Sequence, residues 1–197
     1  MPLVEPNPNF SDLAGIPGIR IDLKYASTDN FMGENVYGDL RVCFLHPEAA
    51  SKLKHAVGLL RSAHPGFSLL VYDGLRPRSV QRKMWAKVLG TPAQAYVAEP
   101  EIGSMHNYGL AVDLSVTDAH GNVLDMGAGF DDFREISQPR LEPRFLASGE
   151  LSQIQLQNRL ILRSAMQGAG FIQLEHEWWH YNAMAPEEAA KKYKILD

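Results

Sequence analysis

Two stretches of the 197-residue chain concentrate side chains that can bind a metal or move a proton. In Ser104-Met105-His106-Asn107-Tyr108-Gly109-Leu110-Ala111-Val112-Asp113 a histidine is followed seven residues later by an aspartate. Imidazole and carboxylate are both good zinc ligands. Gly109 lets the backbone turn tightly between them, and the small Ala111 leaves room beside a metal. The plainer interpretation is a loop histidine and a solvated strand aspartate, and spacing by itself favours it.

The second stretch is Glu175-His176-Glu177-Trp178-Trp179-His180-Tyr181. Its literal HExxH, on a helix, would set two histidines one turn apart with a glutamate as base. The flanks oppose a helix: Gly170 to Leu174 reads as an extended lead-in, Asn182 to Pro186 leaves little room, and Ala183 breaks the extended zincin pattern. The alternative uses only Glu177 and His180 and draws the remaining ligands from His106 and Asp113. Glu177 is the base and His180 a ligand either way. Positions three apart in a regular strand face opposite sides, so their convergence requires a bulge or turn at Trp178 and Trp179. At least one of those tryptophans reads as core.

The elements that must position these groups are visible as periodicity. Pro47 and Glu48 open a helix with Ala49, Ala50, Leu53, Ala56, Val57 and Leu60 on one face, closed by Pro65-Gly66. Phe67 to Tyr72 reads as a buried strand ending at Asp73-Gly74-Leu75-Arg76-Pro77, with a helix from Val80 to Leu89 beyond it. Leu110, Val112, Leu114 and Val116 alternate with Ala111, Asp113, Ser115 and Thr117, a strand from whose other face Asp113 projects. A turn over 118–122 predicts a return strand from Val123 to Met126. Ser148 is a cap for a helix over Leu151 to Gln167, stopped by Gly168 and Gly170, before a strand at Phe171 to Leu174 and a last helix from Pro186. The expectation is an α+β fold over residues 1–197: one domain, with a central antiparallel sheet flanked by helices and the metal site at the sheet.

Composition narrows the function. A net charge of −4 with interspersed signs gives no footprint for nucleic acid or an anionic membrane, so a small polar substrate is expected. The single cysteine, Cys43, excludes an intramolecular disulfide and reads as a small buried hydrophobe. Residues 1–8 lack the basic start and apolar run of a signal peptide, and no apolar run reaches spanning length, so a soluble cytoplasmic protein is expected.

Ser104-x-His106-x-x-Gly109-x-Ala111-x-Asp113 followed by Glu177-Trp178-Trp179-His180 resembles the zinc peptidase family that contains the D-alanyl-D-alanine dipeptidases, including the vancomycin-resistance dipeptidase. Asp73-Gly74-Leu75-Arg76-Pro77 is similar to that family's arginine-bearing loop, and Asp22 to Gly33 to its N-terminal segment. The resemblance implies one zinc ion held by His106, Asp113 and His180 with a fourth position open. It implies Glu177 as the base that takes the proton of the attacking water, and Arg76 as the group that stabilises the oxyanion. Asp131 matches a family aspartate assigned to the ammonium of a free zwitterionic dipeptide, and Ser104 with Tyr25 or Tyr37 would address its carboxylate. Tyr108 stands where the dipeptidases tend to carry a basic residue, and His106 to Asp113 also resembles the related L-alanyl-D-glutamate endopeptidases. Alternatives are therefore a carboxy- or endopeptidase acting on peptidoglycan peptides, or a zinc-binding module without turnover.

Overall fold

Pro47 enters the first turn of helix α1 (Pro47–Ala63), and the His46 imidazole in front of it accepts the Glu48 N–H, so the helix starts where the sequence predicts. Its buried face, with Leu53, Ala56 and Leu60, packs against helix α4 (Gln153–Gly168) and the sheet. This computed structural model describes residues 9–196. Residues 1–8, read above for a leader, and Asp197 lie outside them.

The remaining elements are strands β1 (Ser11–Asp12), β2 (Ile19–Ile21), β3 (Phe44–Leu45), β4 (Ser68–Asp73), β5 (Ala111–Thr117), β6 (Ile172–Gln173) and β7 (His180–Asn182), and helices α2 (Arg78–Val88), α3 (Glu142–Ser148) and α5 (Pro186–Lys192). β1 and β3 form a small antiparallel pair, and the main sheet has the order β2-β4-β5-β7-β6. The fold is α+β. One edge departs from the antiparallel expectation, because β2 runs parallel to β4. The chain between them includes α1, the kind of long crossover that a parallel pair requires.

Along β5 every residue is buried, so the alternation predicted from sequence separates two buried faces rather than a core and a solvated one. Leu114 and Val116 pair with Val71 and Leu69 and share their face. Asp113 points the other way. A register shift between Val71 and Asp73 inserts one residue into β4 and sets Asp73 opposite Asp113. A second apolar cluster joins Tyr25, Met32, Val36 and Tyr37 to α2 through Val80, Met84 and Val88, which ties the N-terminal segment to the sheet's polar side.

Two boundaries differ from expectation. Val123 to Met126 forms no strand: beyond the Thr117–Val123 bridge and the Leu124 N–H to Val116 carbonyl bond, the Asp125 side chain accepts the Gly127 N–H and turns the chain away. Ser148 closes α3, followed by Gly149 at φ 79°, and Ser152 caps α4 reciprocally with Gln155. Cys43 is buried, and burial raises its thiol pKa, which leaves it inert. Among the described residues no helix is long and apolar enough to cross a membrane.

Candidate metal centre and active site

His106 sits on a single 3-10 turn, Met105–Tyr108, that Ser104 and Asn107 cap reciprocally. Gly109 ends the turn at φ 66°, and a Cβ there would lie 2.9 Å from the His46 backbone nitrogen. Only glycine satisfies both the left-handed conformation and the close approach. His180 on β7 is the direct register partner of Asp113 on β5, so the two side chains leave the sheet on one face.

The three donors converge. His106 Nε2 is 3.2 Å from His180 Nδ1 and 3.3 Å from Asp113 Oδ2, and His180 Nδ1 is 3.0 Å from Asp113 Oδ1. The edge of a tetrahedron around an ion with ligand bonds of roughly 2.0–2.1 Å is about 3.3 Å, so this spacing fits a small divalent metal. The outer ring nitrogens are occupied: His106 Nδ1 lies 2.7 Å from the Gly74 carbonyl, and His180 Nε2 lies 2.9 Å from Asn182 Oδ1. With those nitrogens protonated, both inner nitrogens and the carboxylate present lone pairs to one another. That is repulsive unless a cation lies between them. Burial pushes the Asp113 carboxyl up, but when the rings carry protons toward it in the metal-free site, charge and hydrogen bonds from His106 and His180 outweigh burial and hold the group below the usual carboxylate range. Among the described residues this is the one group of three ligand side chains so arranged.

The Glu177–His180 convergence is achieved by a turn. Residues 175–179 bend before β7 begins, the Trp178 N–H donates to the Ser137 carbonyl, and Glu177 Oε2 comes to 3.7 Å from His180 Nδ1. His176 is exposed and no helix forms there, so the literal HExxH interpretation is excluded. Both tryptophans are buried. Burial pushes the Glu177 carboxyl up to about 8, opposed by His180 and reinforced by Asp113.

Arg76 follows β4 and is held from several sides. Its Nε and one terminal nitrogen donate to Asp73 Oδ2 at 2.9 and 2.6 Å, the other terminal nitrogen donates to Gln81 Oε1, and the guanidinium lies over the Tyr25 ring. The Tyr37 hydroxyl donates to the other Asp73 oxygen at 2.5 Å. Tyr37 therefore braces Asp73 and is absent from the cavity lining, which departs from its expected place beside a substrate.

The cavity, about 310 Å³, is lined by Arg76, Asp131, Ser104, Tyr25 and Glu177 together with the three metal-ligand candidates. Asp131 adopts φ 59°, unusual for a residue with a side chain, and it accepts the Tyr25 hydroxyl and the Phe31 N–H. Burial pushes its carboxyl up to about 7, against those two hydrogen bonds. Its loop is clasped by the buried Arg159, which donates to the carbonyls of Met126 and Ile136 and pairs with Glu142. Ser104 Oγ accepts the His106 N–H. Sequence reasoning missed Asp73, Gln81 and Asn182. Asn182 had a signal, since it lies two residues beyond His180 in a strand and so shares its face.

The family model described as D-ala-D-ala dipeptidase (Peptidase_M15) matches residues 7–195. The D-alanyl-D-alanine dipeptidase of Escherichia coli (strain K12) is 38% identical over 171 residues, covering 86% of this chain and 82% of that protein. The protein of the same name from Enterococcus faecium is 35% identical over 187 residues, covering 84% of this chain and 86% of its own length. A solved L-Ala D-Glu endopeptidase, ChiX of Serratia marcescens, is a more distant likeness, with a TM-score of 0.39 and 18% identity over 89% of this chain and 98% of that one.

Proposed function

The chain belongs to the D-ala-D-ala dipeptidase family of metallopeptidases, and we propose that it hydrolyses the peptide bond of D-alanyl-D-alanine or a similar small D-dipeptide with one zinc ion. The observation that carries this is the convergence of three lone-pair donors, from His106, Asp113 and His180, at the floor of a small cavity that also holds Glu177 and Arg76. Bound there, zinc supplies Lewis acidity toward the scissile carbonyl and lowers the pKa of a water from 15.7 to about 7.

The chain's own groups do the rest. Glu177 accepts the proton of the attacking water and returns it to the leaving amine. Arg76, immobilised by Asp73 and Gln81, directs its remaining N–H groups at the oxyanion of the tetrahedral intermediate. Asp131, ionised, takes the substrate ammonium, and Tyr25 orients it. Ser104 keeps its hydroxyl proton free to donate to the substrate carboxylate, because its oxygen is the acceptor of the His106 N–H. Tyr37 acts through Asp73 rather than on the substrate. Residues 1–197 form one zinc peptidase domain in this reading, and its cytoplasmic placement rests on the absence of any disulfide-capable cysteine pair.

The test is hydrolysis of D-Ala-D-Ala and of its N-acetyl derivative, with and without chelator. Chelator-sensitive cleavage of the free dipeptide alone supports the reading. Efficient cleavage of the acetylated compound would replace it with a carboxy- or endopeptidase.

A further inference from the structure

We propose that Asn182 is a positioning residue for the metal: its side-chain oxygen holds the His180 ring in the one tautomer that turns an unprotonated Nδ1 toward Asp113 and His106. The inference rests on the reading that these three residues hold the metal. It concerns a residue outside that set.

A histidine ligates through a lone pair, so the proton of the neutral ring must sit on the other nitrogen. For His106 a backbone carbonyl enforces this, since Gly74 stands 2.7 Å from Nδ1 and no side-chain substitution can remove it. For His180 the corresponding acceptor is a side chain, Asn182 Oδ1, 2.9 Å from Nε2. The competing tautomer is a real alternative at His180. A proton on Nδ1 would find Asp113 Oδ1 at 3.0 Å, a good carboxylate acceptor, and would occupy the lone pair the metal needs. Asn182 opposes that state by offering Nε2–H its own acceptor.

The backbone keeps Asn182 in place. It lies two residues beyond His180 in β7, on the same face, and is paired with Ala111 on one side and Ile172 on the other. The residue is buried at 8% exposure, where water competes poorly for the hydrogen bond to Nε2. Loss of such an outer partner typically weakens metal binding by roughly 10- to 100-fold.

The experiment measures zinc affinity by competition with a chromogenic chelator for wild type, Asn182→Ala and Asn182→Asp. It also records the protonation of the His180 ring nitrogens in the metal-free wild type by long-range proton–nitrogen NMR. Asn182→Ala should bind zinc roughly 10- to 100-fold more weakly. Asn182→Asp, whose carboxylate still accepts from Nε2–H, should stay near wild type or bind more tightly. The wild-type spectrum should place the proton on Nε2. Wild-type affinity in Asn182→Ala, equal losses in both variants, or a proton on Nδ1 in the wild type overturns the proposal. If Asn182→Ala fails to fold, the wild-type spectrum and Asn182→Asp decide. Wild type that binds no zinc, or binds it unchanged after His106→Ala, defeats instead the ligand set on which the inference stands.

Discussion

Asp113 and His180 face each other directly across the antiparallel β5–β7 pair, and their donor atoms stand 3.0 Å apart. Two of the three ligand candidates are thus fixed by a hydrogen-bonded ladder, while the third, His106, comes from a capped turn ending at an obligatory glycine. A site carried on such elements is pre-organised before any ion arrives.

Metal dependence should follow the converging residues and ignore the exposed one. His106→Ala should abolish stoichiometric zinc binding and activity, whereas His176→Ala should leave both within about twofold of wild type, because the His176 side chain is exposed and replacing such a surface group usually changes little. Metal content by elemental analysis checks this, and zinc loss in His176→Ala would overthrow the assignment.

Glu177→Gln keeps the side-chain shape but cannot take a proton. Turnover of D-Ala-D-Ala should drop by roughly 10²- to 10⁴-fold, the usual contribution of a positioned acid–base group. Zinc content should be unchanged. A variant retaining more than a tenth of the wild-type kcat would remove Glu177 from the chemistry.

Replacing Arg76 tests oxyanion stabilisation. Arg76→Ala should lower kcat by roughly 10²- to 10³-fold while KM changes little, the pattern of an interaction made mainly in the transition state. Arg76→Lys should recover little of this, because an ammonium cannot reproduce the fork held by Asp73 and Gln81. An effect confined to KM would reassign the residue to ground-state binding.

In metal-free protein the raised pKa of Asp131 gives stability a definite slope. Burial lifts the carboxyl to about 7, reinforced by Asp113 and opposed by the Phe31 N–H, Tyr25 and Arg76. An unfolded aspartate titrates near about 3.9. Between these values the native state binds more protons than the unfolded state, so this contribution is fully present below about pH 4 and is lost as pH rises through about 7. Asp131→Asn removes this part of the slope and leaves that of Glu177. Urea unfolding after metal removal should find wild type gaining on the variant between pH 8 and pH 5. A difference that does not change with pH would count against a buried, titrating carboxylate.

Arg159 tests how the Asp131 loop is held. Arg159→Met leaves the buried Met126 carbonyl and the part-buried Ile136 carbonyl without their donor, while Glu142 keeps Arg163, so stability should fall by about 1–3 kcal/mol. KM should rise in parallel as Asp131 loses its anchor. A denaturant midpoint near wild type would mean that the clasp contributes little.

Much of this architecture could be read from the sequence, for identifiable reasons. α1 and β5 were legible because their apolar residues recur at the helical and strand periods over enough positions to be unambiguous. The convergence of Glu177 and His180 was legible as a requirement for a turn, since a regular strand forbids it. Ser148 and Ser152 are equally good caps in isolation, and only the reciprocal partner Gln155 and the left-handed Gly149 distinguish them. The parallel placement of β2 depends on a crossover that no local pattern encodes. Asp73 and Tyr37 acquire their roles from a one-residue bulge and a contact across 36 positions, and spacing contains neither.

The side-chain contacts that knit this centre join residues 67, 74 and 106 positions apart along the chain. Such separations delay assembly until distant segments have met. No short fragment contains the complete coordination sphere, and a half-folded intermediate has nowhere to capture an ion. Uptake of metal during refolding should therefore coincide with the final cooperative step, and a spectroscopic metal probe would time the closure of the tertiary structure.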